Sequence, residues 1–172
     1  MKVLETDRLV VRWLTIEDAG FILGLVNEPS WIRYIGDRGV HTIEDATNYI
    51  LKGPADSYAR LGFGLYLVEL KGTQVPIGIC GLLKRDVLPD IDLGFAFVPT
   101  YWGQGYARES ALAVLAHAKK TMGLRRVLAI TSPDNERSIG LLEKIGFTFD
   151  GMVTLSDDHP ASKLFSLSLG EE

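Results

Sequence analysis

An apolar run, Gly94-Phe95-Ala96-Phe97-Val98, stops at Pro99, and a loop carrying two glycines, Gly103 and Gly105, leads into a helix that opens near Tyr106. Glycines let a backbone turn sharply and approach a ligand closely. The N–H groups of Gln104, Gly105, Tyr106, Ala107 and Arg108 then lack helical acceptors and, with the helix dipole, favour an anion. The expected guest is a phosphate or pyrophosphate. A nucleotide P-loop needs a lysine after its second glycine, and none follows either glycine here. A dinucleotide fingerprint needs a small third residue, where Arg108 stands, and an acid about twenty residues on, near Arg125 and Arg126. Neither reading fits the loop well.

The rest of the chain must position this loop. Residues 9–14 read as a strand, and Thr15 with Asp18 forms a near capping box for a helix with Ala19, Ile22, Leu23 and Val26 on one face. Pro29 is expected to stop that helix, with 27–39 irregular. Thr42 and Asp45 repeat the capping signature before a helix whose inner face is Ala46, Tyr49 and Ile50, ending near Gly53-Pro54. Strands are expected over 64–70, 76–83 and 91–98. A long helix then places Ala111, Leu115, Ala118 and Met122 on one stripe, with Gly123 at its C′ position. A strand over 126–131, a helix capped by Asn135 and closed by Gly146, and strands over 147–155 and 164–169 complete the order. This predicts one α/β (α+β) domain over 1–172, with about six to seven strands in a mostly antiparallel sheet and about four helices on its faces. The unit around the glycine loop is the one expected parallel, right-handed crossover.

Composition narrows the function classes. The 172 residues are 47% hydrophobic and 23% charged, with a net charge of −4. That is ordinary for a globular domain and does not suit a nucleic-acid surface. The single cysteine, Cys80, allows no internal disulfide and fits a reducing, cytoplasmic setting. Neither a signal peptide nor a membrane span is legible. The three histidines, His41, His117 and His159, lack metal-ligand spacing, so no metal is expected.

Three blocks carry a resemblance. Residues Tyr101-Trp102-Gly103-Gln104-Gly105-Tyr106-Ala107-Arg108-Glu109 resemble the acyl-CoA pyrophosphate loop of the GNAT acyltransferase superfamily. The block from Asn135-Glu136-Arg137-Ser138 to Gly146-Phe147 is similar to that superfamily's downstream block. The opening Glu5-Thr6-Asp7-Arg8-Leu9-Val10-Val11-Arg12 resembles the subgroup containing ribosomal-protein N-terminal acetyltransferases. Trp102 departs from the Gln or Arg common at its position in the superfamily.

The resemblance implies a GNAT-like fold and acetyl-CoA as acyl donor to a primary amine on a protein N-terminus or small molecule, with no metal. It implies that Phe97 and Val98 offer main-chain bonds to the pantetheine arm, an added-strand mode of binding. It also implies that residues 103–108 hold the pyrophosphate, that the Asn135 amide meets the pantetheine, and that Ser138 stabilises the departing thiolate. Asp92, just upstream of Gly94, is the candidate base, with Asp90 as competitor. Glu109 suits a structural role at the helix N-terminus. Trp31 and Tyr34, in a loop-like segment, are candidates for substrate recognition. Cys80 lies in an apolar strand, where burial raises a thiol pKa, so no acyl-cysteine is expected. A homodimer is left open. The rival to catalysis is an acyl-CoA-binding sensor that keeps the pocket without the chemistry.

Overall fold

The computed structural model describes residues 1–170. Eight strands form one sheet: β1 (Lys2–Glu5), β2 (Leu9–Trp13), β3 (Leu65–Leu70), β4 (Pro76–Leu83), β5 (Asp92–Phe97), β6 (Arg126–Thr131), β7 (Thr148–Val153) and β8 (Ser162–Ser168). Their spatial order is β1-β2-β3-β4-β5-β6-β8-β7, and every neighbour is antiparallel except β5 and β6. The helices are α1 (Ala19–Val26), α2 (Pro29–Tyr34), α3 (Ile43–Ile50), α4 (Asp56–Leu61), α5 (Tyr106–Met122) and α6 (Glu136–Lys144).

Period-two alternation divides the core into two layers. Tyr66 and Val68 of β3 join the cluster under α5, with Cys80, Val114, Leu115 and Phe165. Leu67, between them in sequence, faces the opposite cluster with Ile22, Trp31, Ala46 and Ile50. Both capping boxes form: Thr15 with Asp18 and Thr42 with Asp45. Gly123 ends α5 in the left-handed region at φ 67°.

The structure departs from expectation in several places. Strand β1 is additional; it is a short edge strand that no alternating run announces. Pro29 does not leave an irregular segment behind it. It occupies the first position of α2, where its missing N–H costs nothing. The first helix begins as a single 3₁₀ turn over Ile16–Asp18, and Leu25 rather than Leu23 is buried in α1 beside Ala19, Ile22 and Val26. Pro54 does not terminate the α3 helix either. A π-helical turn over Leu51–Ala55 carries the chain on into α4, because the widened turn accommodates the ring and the lost donor. The final strands are shifted, to Thr148–Val153 and Ser162–Ser168.

Two glycines of β4 make the central strands pack closely. A Cβ on Gly78 would lie 2.4 Å from the Phe97 ring. One on Gly81 would lie 2.1 Å from the Gly64 carbonyl oxygen and 2.8 Å from the Leu65 Cα. That second clash is with backbone, so no rotamer change relieves it. Gly81→Ala is expected to lower stability by about 2–3 kcal/mol, a fall in Tm of about 5–10 °C on thermal denaturation. An unchanged Tm would show that β3 and β4 separate freely.

Candidate active site

Strands β5 and β6 share a single bridge, Asp92 with Leu128, reinforced by the Leu128 N–H on the Ile91 carbonyl at 2.9 Å. Beyond that bridge they part. A cleft of about 1400 Å³ opens between them, with residues 93–97 on one wall and 129–131 on the other. The β4–β5 ladder determines which groups face the opening. The Val98 N–H donates to the Ile77 carbonyl at 2.9 Å, on the β4 side. Alternation therefore turns the N–H and C=O of Phe95 and Phe97 toward the gap. Consistently, the Phe97 carbonyl accepts a hydrogen bond of 2.8 Å from the Trp102 indole outside the ladder. Of the two residues expected to offer main-chain bonds, Phe97 turns its N–H to the cleft with no acceptor among the described residues, while its carbonyl is taken by Trp102. The Val98 N–H is committed to β4, and the residue does not line the cleft.

At one end of the cleft lies the glycine loop. Gly103 and Gly105 both take positive φ, 73° and 84°. The first α5 residue whose N–H finds a main-chain acceptor is Glu109, bonded to the Gly105 carbonyl at 3.0 Å. Among the described residues, the N–H groups of Gln104, Gly105, Tyr106, Ala107 and Arg108 have no acceptor. The space around a Cβ at Gly103 is empty. This is the cradle a diphosphate fits: several main-chain donors, a helix N-terminus and no side chain across it.

The loop is braced by a contact the sequence did not reveal. Arg8, in the turn between β1 and β2, donates to the Gln104 carbonyl and to Glu109 Oε1, each at 2.9 Å, and covers the Tyr106 ring at 4.3 Å. Thr6 donates to Glu109 Oε2 at 2.7 Å. Glu109 is held below the ordinary glutamate range: burial alone would raise it, and the Thr6 and Arg8 bonds outweigh that. Through these contacts Glu109 ties the start of α5 to the β1–β2 turn. Trp102 also braces the site. Besides bonding Phe97, its ring lies under the Arg137 guanidinium at 4.9 Å and so links the loop to α6. Its departure from the usual residue was the available signal.

Asn135 caps α6, its Oδ1 accepting from the Ser138 N–H at 3.3 Å. The amide nitrogen has no partner among the described residues, so capping leaves it available. Asn135 and Ser138 both line the cleft, as do Asp92, Trp31 and Tyr34; Gln104, like Val98, does not. Asp92 is 1% exposed, and the Arg85 Nε lies 3.3 Å from both of its oxygens. Burial raises the Asp92 pKa against the opposing Arg85 charge. Asp90, the competitor, pairs instead with Arg126 at 3.4 Å. Trp31 is a core residue, 5% exposed, that also contributes to the cleft wall, while Tyr34 is half-buried beneath the Arg33 guanidinium. Burial pushes the Cys80 thiol up to about 12, far from the thiolate form at neutral pH. No group of three or more His, Cys, Asp or Glu among the described residues is placed to hold a metal ion, and no helix is long and apolar enough to cross a membrane.

Comparison with known proteins places the family and the fold. Residues 8–148 match the family described as Acetyltransferase (GNAT) domain. The chain is 31% identical over 154 residues to the protein named Uncharacterized N-acetyltransferase YoaA of Bacillus subtilis (strain 168), covering 88% of this chain and 85% of that one. It is similar in structure to an acetyltransferase from Agrobacterium tumefaciens str. C58, with a TM-score of 0.82, 26% identity and coverage of 97% and 94% of the two chains. It shares its fold with RimL, a ribosomal L7/L12 alpha-N-protein acetyltransferase solved with coenzyme A, at a TM-score of 0.82, 16% identity and 98% coverage of both chains. With a matched domain spanning most of its length, this chain belongs to the GNAT acetyltransferase family and is an acyl-CoA-dependent N-acetyltransferase.

Proposed function

We propose that this protein transfers the acetyl group of acetyl-CoA to a primary amine, on a protein N-terminus or a small molecule, by direct attack within a ternary complex. The observation that carries the reading is the set of unpaired N–H groups over residues 104–108, continuous through the cleft with the open edge of β5. These N–H groups hold the diphosphate. The Phe97 and Phe95 edge takes the pantetheine arm as an added strand, and a main-chain N–H there donates to the thioester carbonyl as charge builds on its oxygen. The Asn135 amide nitrogen donates to the arm.

The amine attacks only when neutral. Asp92 is the base that receives its proton, directly or through a water, and its raised pKa suits a carboxylate to that task. Ser138 donates a hydrogen bond to the thiolate as it leaves. Main-chain amides, a base and a thiolate donor in one cleft favour catalysis over a sensor that only binds.

The test pairs calorimetry with turnover. Acetyl-CoA should bind the parent, Asp92→Asn and Ser138→Ala proteins alike. Asp92→Asn is expected to lower kcat by about 10²–10⁴-fold. Ser138→Ala is expected to lower it by about tenfold or somewhat more. Because Asp92 works deprotonated and its pKa is raised, parent activity should fall on acidification at a pH above the ordinary aspartate range. The Asn variant should lose that limb. If acetyl-CoA fails to bind at millimolar concentration, the whole reading fails. If binding stands and both variants turn over normally, only the residue roles fail.

A further inference from the structure

The acceptor wall of the cleft holds more hydrogen-bond donors than the chain can satisfy. Two of its ion pairs are internally balanced: Arg85 with Asp92 at 3.3 Å and Arg33 with Asp134 at 3.6 Å. Three other groups on the wall are not. Arg38 has no carboxylate and no hydrogen-bond acceptor among the described residues. The Tyr49 hydroxyl has no hydrogen-bond partner there either. The Trp31 indole N–H is buried and has no acceptor. Arginine and the indole N–H can only donate. The indole N–H is sealed from solvent-sized molecules, whereas Arg38 is exposed and Tyr49 half-buried, so these last two are the donors a ligand can reach. The three belong to neighbouring pieces of structure: Trp31 to α2, Arg38 to the segment just after it, and Tyr49 to α3, which packs beside α1. The guanidinium charges of Arg38 and Arg85 both bear on the Tyr49 hydroxyl, holding down a pKa that burial raises. Glu28, at the turn before α2, also lines the cleft without a cationic partner. Once the two internal pairs are set aside, the α2 and α3 side of the cleft presents one carboxylate, Glu28, and one guanidinium, Arg38, while Arg108, Glu136, Arg137 and Lys144 line it on the α5 and α6 side.

We propose that the acceptor is an amine whose own molecule carries a carboxylate, bound by Arg38 with the Tyr49 hydroxyl, while Glu28 meets the ammonium before it is deprotonated. This rests on the acetyl-transfer reading above and names its substrate class. A carboxylate supplies lone pairs to both donors and a charge opposite to that of Arg38. A polyamine offers Arg38 only further positive charge, and an aminoglycoside offers hydroxyl acceptors but no charge opposite to that of Arg38. The carboxylate has two sources: a free acidic amino acid, or a peptide N-terminus followed by acidic residues.

The experiment measures kcat and KM with acetyl-CoA held saturating. The acceptors are glutamate, Ala-Glu-Glu amide, Ala-Ala-Ala amide, Ala-Lys-Lys amide and spermidine. Acidic acceptors should lead, and the ranking of glutamate against Ala-Glu-Glu amide identifies the source. Arg38→Glu should raise KM for the acidic acceptors by about tenfold and favour Ala-Lys-Lys amide over Ala-Glu-Glu amide, with the dissociation constant of acetyl-CoA unchanged. Tyr49→Phe keeps the ring and removes the donor, so it should raise KM for acidic acceptors more than for Ala-Ala-Ala amide. Turnover with a ranking blind to charge, or one that Arg38→Glu does not move, overturns this inference and leaves the acetyl-transfer reading intact. Acetyl-CoA binding with no acetylation in any arm overturns both.

Discussion

Replacing Gly105 with valine is expected to weaken acetyl-CoA binding by about a hundredfold or more. Three costs combine at this position. The backbone sits at φ 84°, in the left-handed region, which penalises an L side chain and a β-branched one most. A Cβ there would stand 3.2 Å from the Arg8 guanidinium, and that guanidinium is fixed by Gln104, Glu109 and Tyr106. The loop must therefore shift, and two main-chain donors moved off a charged diphosphate account for about a hundredfold in affinity. Gly103→Ala is the internal control. Its φ of 73° is also strained, but a Cβ there meets nothing, so its loss should be nearer tenfold. Calorimetric titration of both variants, with thermal denaturation to confirm folding, checks the order. If valine at 105 binds acetyl-CoA as the parent does, the diphosphate is held elsewhere.

The second large effect concerns stability. Arg12, on β2, donates to both oxygens of Asp18, at 2.8 and 2.9 Å, to Glu69 at 3.2 Å and to the Trp13 carbonyl at 3.0 Å. Asp18 and Glu69 are both buried, so one guanidinium serves two carboxylates beneath the entry to α1. Arg12→Leu would strand both, at a cost of about 3–5 kcal/mol and of the order of 10 °C in Tm. The pH dependence gives a second readout. Burial would raise Asp18, but the hydrogen bonds from Arg12 and the Thr15 N–H outweigh it and leave its pKa lowered. A carboxylate depressed by folding contributes stability above its unfolded pKa, and the contribution is lost as pH falls through its folded pKa. The parent should therefore lose stability on acidification below the ordinary aspartate range, and Arg12→Leu should lose much less over the same window. A triple variant with Leu at 12 and neutral isosteres at 18 and 69 should recover part of the loss, since no buried charge is then left unpaired.

Short-range chemistry is legible in the chain itself, and long-range contacts are not. The capping boxes at Thr15 and Thr42, the C′ glycine at 123 and the glycine-loop cradle all depend on residues within a few positions of one another, so spacing reveals them. The two prolines misled for a single reason. Proline removes a donor but leaves the conformation of the next residues open, and here Pro29 begins a helix while Pro54 rides inside a π turn. The Arg8–Glu109 brace joins residues about a hundred positions apart, and only the sheet order brings them together. Phe97 and Val98 are adjacent and equally apolar, and it is the ladder register with β4 that separates an open N–H from a committed one. The surplus donors at Trp31, Arg38 and Tyr49 were invisible for the converse reason: a missing partner is a property of the folded neighbourhood.

The lone rung joining β5 to β6 bears on how long the enzyme survives. One bridge stitches a five-strand block to a three-strand block, and packing of α5 and α6 does the rest. A molecule wedged into that fork clings to the native chain and has nothing to grip on the unravelled one, so its free concentration sets how often the two blocks swing apart. Proteases act on such openings. Resistance of the protein to proteolysis would then rise with the concentration of acyl donor around it.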